Sequence, residues 1–301
     1  SRLEGSTLGR EAALEALRSS VRRVAAHPRE MFDFDDMPPP DTPLGTAVGE
    51  EEDELWSFAG SDGGEAGESV EVRLGVSVAR LQPRPSGKAP LCALLVPGMP
   101  QKVYGSSRMT DPLFNAVVRR CWALGLPTVR FDYSGCGRSA GEEPTIGTGG
   151  AAMQRDASLV LQRTLEQVCE KVVVIAYSAG NNMVIHELHK AHTSYASGRV
   201  AAYVSLSFGT RAEALTREDA AAALGSKEAD LTLLPPDVLG MHDELDVPSL
   251  FVLGQQDLMT PLVDIVAITQ RKSRKMPAEL QALQGKHAFG GVEDRPADAI
   301  K

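Results

Sequence analysis

Residues 172–182, VVVIAYSAGNN, constrain this chain more than any other stretch. A short unbroken run of β-branched and apolar residues reads as a strand buried on both faces, as in a parallel sheet. The run ends in Ala176-Tyr177-Ser178-Ala179-Gly180 and passes straight into a helical pattern. A strand-to-helix turn this sharp tolerates only small side chains two before and two after its central serine, because larger ones would strike the neighbouring strand and helix. Ser178 is therefore either a presented nucleophile or an ordinary turn residue, and the remainder of the chain must separate the two.

Strands alternate with helices from residue 69 onward. Short strands are expected at 70–74 and 76–82, and stronger ones at 91–96, 127–133, 172–176, 200–206, 249–253 and 278–283. Helices are expected from Asp111-Pro112 to Gly125, near 151–168, at 179–191 and from 261 to about 272, with further helix and loop over 210–245. Asp followed by Pro suits a helix start, and Gly suits its stop. This alternation implies an α/β fold with a mostly parallel sheet covered on both faces, and ligand sites at the carboxyl ends of its strands.

Residues 1–68 differ in kind. They carry six Arg against sixteen Asp or Glu, so this segment holds the acidity behind the net charge of −9 and the rest is near neutral. Leu14, Leu17, Val21 and Val24 lie at helical spacing up to Pro28. Residues 31–68 lose periodicity and read as a largely irregular linker, or as a segment whose Phe32, Phe34 and Trp56 dock on this domain or on a partner protein. The expected division is an acidic extension, 1–68, and one domain, 69–301. No basic footprint for nucleic acid is present, and no apolar run reaches a membrane span. Cys92, Cys121, Cys136 and Cys169 form no C-x-x-C pair, so reduced thiols and an intracellular compartment, cytoplasmic or organellar, are expected. No Cys/His spacing suggests a metal.

A nucleophilic serine needs a base, and the base an orienting acid. Asp257 follows the strand SLFVL, and His287 follows the next strand, in QGKHAFGG. Of the six histidines, only His287 lies after Asp257, which satisfies the order Ser, acid, His. Alone, Asp257 reads as a helix cap and His287 as a loop residue; together with Ser178 they place three suitable groups on loops at one sheet edge. Ala179 N–H at the helix start and Met99 N–H, after Pro97-Gly98, are the expected oxyanion donors. Gly135-x-Gly137-x-x-Ala140 also matches a dinucleotide fingerprint, but Gly141, Pro144, Gly147, Gly149 and Gly150 intervene before any helix. A sharp turn is the expected reading, with Cys136 a bystander.

The stretches LLVPGM, VRFDYSGCGRSAGE, VIAYSAGN, LGQQDLMTP and GKHAFGG resemble the α/β-hydrolase superfamily from about residue 70 to the end. Within it the chain is most similar to small, lidless bacterial-type hydrolases. Those carry a His-Pro-His-Pro run where Pro97-Gly98-Met99-Pro100 stands here. The resemblance implies a Ser178–His287–Asp257 triad that cleaves an ester or thioester, a small acyl substrate, and no cofactor. Two alternatives are a serine peptidase of the same fold and a non-catalytic, hydrolase-like subunit that docks through residues 1–68.

Overall fold

A computed structural model describes residues 49–58, 71–81, 87–99, 109–110, 112–123, 125–142, 149–190, 196–208, 238–257, 262–271, 275–276 and 278–283. The helix expected at 11–25, the Asp111 cap and most of 210–245 lie outside these residues.

Eight strands form one sheet in the order β1-β2-β4-β3-β5-β6-β7-β8. They are β1 (Gly49–Phe58), β2 (Val72–Leu81), β3 (Ala89–Val96), β4 (Thr128–Phe131), β5 (Cys169–Tyr177), β6 (Val200–Leu206), β7 (Ser249–Gly254) and β8 (Ala278–Leu283). β2 runs antiparallel to β1 and β4, and every other pairing is parallel. Helices α1 (Pro112–Ala123), α2 (Gly149–Arg163), α3 (Ala179–Lys190), α4 (Val238–Glu244) and α5 (Leu262–Thr269) occupy the crossovers, with a π-turn at Thr164–Val168 after α2.

The period-two alternation of β3 and β5 sorts the core into two layers. Cys92, Leu94, Val96, Val172, Val174 and Ala176 pack on one face with α2 and α3. Ala93, Leu95, Val173, Ile175 and Tyr177 pack on the other with Leu113, Phe114, Val117, Val118, Cys121 and Trp122 of α1. Those residues, at helical spacing, are the buried face of α1. That helix stops where expected: Gly125 takes φ 71, and Leu126 N–H donates to Cys121 O (2.9 Å) and Gly125 N–H to Trp122 O (2.8 Å). This double bond is the glycine-dependent C-terminal cap.

Two expectations are corrected. The segment 49–58, read as irregular linker, is β1, paired to β2 at all ten positions. The sheet therefore takes in part of the stretch assigned to the extension. Its acidic residues hide an alternation in which Trp56 and Phe58 are buried while Asp53, Leu55 and Ser57 are exposed. Arg163 of α2 lies over the Phe58 ring at 4.4 Å and donates to Ser57 O at 2.8 Å. The second correction joins the strands expected at 70–74 and 76–82 into one, β2, continuous through Gly75. Gly75 is a point of close approach: a Cβ there would lie 2.8 Å from Arg138 Cβ.

The chain reverses direction across the sheet at β3. From β3 it moves one way to β4, then crosses to β5 on the other side. Such a switch opens a crevice at the carboxyl ends of the two central strands, here β3 and β5.

Candidate active site

Ser178 stands in that crevice, between the end of β5 and the start of α3. It takes φ 49, and it and Ser207 are the non-glycine residues with positive φ among those described. A non-glycine residue held in that region costs about 1–3 kcal/mol, so the surroundings must enforce it. They do so by proximity. A Cβ on Gly180 would lie 2.2 Å from Pro97 O and 2.8 Å from Val96 O, so only hydrogen fits where α3 meets the end of β3. A Cβ on Gly98 would lie 3.0 Å from Ser178 Cβ. Ala176, two before the serine, is wholly buried. The small residues around Ser178 are therefore there for contact. Ser178 itself is half-buried, open enough to meet a ligand.

Hydrogen bonds hold the turn from β6. Ser178 N–H donates to Leu206 O (3.0 Å), and Ser178 O accepts from Asn181 N–H (3.1 Å). The Asn181 side chain donates through Nδ2 to Ser178 O (2.9 Å) and Leu206 O (3.1 Å). Ser207, next along, is fully buried, and its N–H donates to Val252 O on β7 at 2.8 Å. Neither Asn181 nor Ser207 was singled out from the sequence. Two asparagines in a first helical turn, where Asn is a poor helix former, were the available signal for Asn181.

The loop after β3 contributes Pro97, Gly98 and Met99. Pro97 O accepts from Tyr133 Oη at 2.9 Å, and Met99 packs half-buried on the core. Ala179 N–H heads α3, so the two expected oxyanion donors lie on the two segments that meet at Gly98 and Gly180. Asp257 is buried, 5% exposed, in a turn closed by its N–H to Gly254 O at 3.0 Å. It sits at the end of β7, two strand spacings, about 10 Å, from β5. A ring must bridge that gap if the two residues are to act together. His287 lies outside the described residues.

Two described histidines are engaged away from Ser178. His189 pairs with Glu244. The His242 ring is fully buried against Phe208 (4.8 Å), Phe251 (5.4 Å) and Tyr203 (5.9 Å).

The glycine loop after β4 is a self-closed turn. Gly135 N–H donates to Ala140 O (3.0 Å) and Ala140 N–H to Arg73 O (2.9 Å), so both amides serve the turn itself. Helix α2 begins only at Gly149. A Cβ on Gly137 would fall 1.9 Å from Asp132 Oδ2, so this glycine makes room for a buried carboxylate, which accepts from Met109 N–H at 2.9 Å. Asp156, also buried, accepts from Ser134 N–H at 2.8 Å. Cys136 is buried, with Sγ 3.6 Å from Ser134 O. Among the described residues no group of three or more His, Cys, Asp or Glu is arranged to hold a metal ion, and no helix is long and apolar enough to cross a membrane.

No family model and no curated protein sequence matches the chain. Solved structures do match. The Pyrococcus furiosus esterase Pf2001 superposes with TM-score 0.56 at 14% identity, covering 78% of this chain and 84% of that one. Est1E from Butyrivibrio proteoclasticus, solved with ferulic acid bound, gives 0.52 at 20% identity over 72% and 88%. XC6422 from Xanthomonas campestris, described as an α/β serine hydrolase without a lid, gives 0.50 at 17% over 82% and 89%. The fold is that of the α/β hydrolases.

Proposed function

We propose that this protein is a serine hydrolase that transfers the acyl group of an ester or thioester to water. One observation carries the reading: Ser178 is held at φ 49 at the end of the central strand, at the head of a helix, in the switch-point crevice. Strain of this kind gathers where a side chain must be presented. Neighbours in fold that are esterases and serine hydrolases support the reading.

In this reading Ser178 Oγ attacks the carbonyl carbon as His287 takes its proton. The tetrahedral oxyanion is held by the Ala179 and Met99 N–H groups, with Ala179 at the positive end of α3. His287 returns the proton to the departing alcohol or thiol. Water then attacks the acyl-enzyme, again with His287 as base, and frees Ser178. Asp257 orients the imidazole and stabilises its charged form. Its burial favours this role, because a carboxylate shielded from water interacts more strongly with an imidazolium.

Labelling with a fluorophosphonate probe tests this directly. The wild type is expected to label, while Ser178→Ala and His287→Ala do not. Absence of labelling in folded wild-type protein would overturn the enzyme reading in favour of a non-catalytic, hydrolase-like subunit.

A further inference from the structure

We propose that Asn181 and Tyr203 are positioning residues for Ser178, an inference that rests on the reading of Ser178 as nucleophile. The strained turn needs a clamp, and the structure shows where its bonds go. Asn181 is wholly buried in the first turn of α3. Its amide nitrogen spans two carbonyls, Ser178 O at 2.9 Å and Leu206 O at 3.1 Å. Leu206 O also accepts the Ser178 N–H at 3.0 Å. One side chain thus ties the carbonyl of the strained residue to the same β6 atom that holds its N–H.

Tyr203 decides which way that amide faces. Its hydroxyl donates to Asn181 Oδ1 at 2.7 Å. An amide that accepts on one side presents its NH2 on the other, so the tyrosine points Nδ2 at the two carbonyls. The Tyr203 ring is itself fully buried and meets the Phe251 edge at 6.2 Å. Helix formation does not call for Asn181, since Asn in a first helical turn is a poorer helix former than an aliphatic residue. The side-chain bonds of Asn181 run to the turn and to Tyr203. Reactions of a fixed nucleophile lose about a hundredfold when it is displaced by an ångström.

The test measures the maximal rate of fluorophosphonate labelling and the probe's apparent binding constant separately, beside the unfolding midpoint. Tyr203→Phe keeps the ring and removes the hydroxyl. It is expected to label about tenfold more slowly at saturating probe, with binding unchanged. Asn181→Ala is expected to fall about a hundredfold. Arg199→Ala is the control for destabilisation, since Arg199 bonds to Glu170 O and Cys169 O at the far end of β5; it is expected to label at the wild-type maximal rate. If Asn181→Ala does not fold, Tyr203→Phe decides. Wild-type rates in a folded Tyr203→Phe, or an equal loss in Arg199→Ala, would overturn the clamp while leaving Ser178 as nucleophile. No labelling of the wild type would overturn both.

Discussion

The two ends of β5 solve opposite problems with one strand. At its carboxyl end the backbone is forced into a positive φ at Ser178, Gly180 admits backbone atoms that would lie 2.2–3.0 Å from a Cβ there, and polar groups converge on one turn. At its amino end nothing is forced in this way. Cys169 and Cys92 bring two buried thiols together at 2.6 Å. The preceding π-turn leaves Leu165 O to be capped by Lys88 Nζ at 3.0 Å and by Arg199 Nη2. The amino end is built from packing and satisfied carbonyls; the carboxyl end is held in a state it would leave if released. Strain is confined to the end that faces the crevice, which is why that end is read as chemical and the other as structural.

Three substitutions or conditions sharpen this contrast. The largest effect is expected from Gly180→Val. Its Cβ would meet Pro97 O, a backbone atom with no room to yield, and the loss should exceed about 4 kcal/mol in chemical denaturation. A near-neutral result would mean that α3 and β3 are further apart than described here.

Ser178→Gly should act in the reverse direction. Glycine adopts φ 49 without a steric penalty, so the variant should be more stable by about 1 kcal/mol while losing all probe labelling. Equal stability in wild type and variant would remove the strain from the argument.

The smallest effect lies at the amino end and depends on pH. Burial, then the bond to the Cys169 thiol, pushes the Cys92 thiol well above its ordinary value. A free thiol ionises near pH 8.5 once the chain unfolds. Between that value and the folded one, the unfolded state binds fewer protons, so stability is complete below about pH 8.5 and falls as pH rises. Cys121, pushed up to about 12 by burial, adds to the same slope. Thermal unfolding from pH 7 to 10 should show this decline, and Cys92→Ala should make it shallower. An unchanged slope would show that the thiol already ionises in the folded protein.

The local frame around Ser178 was legible in the sequence. The buried strand, the small residues around Ser178 and the glycine stop of α1 are local features, dictated by sterics within a few residues. The position of Asp257 just after β7 followed from the strand pattern. β1 was not legible, because five acids in GEEEDELWSF mask an alternation that only Trp56 and Phe58 carry on the core side. The break expected at Gly75 vanished because that glycine answers to Arg138, distant in sequence.

By itself the sequence determined the alternation of strands and helices, the two-sided burial of β5, and the need for small side chains at 176 and 180; these follow from backbone sterics and side-chain period. Only the tertiary structure decided that β6 lies beside β5, and with it that Tyr203 and Leu206 reach Asn181 and Ser178. Those contacts join residues up to 28 apart through strand order. Strand order is set by how the helices cover both faces, which no single stretch of chain encodes.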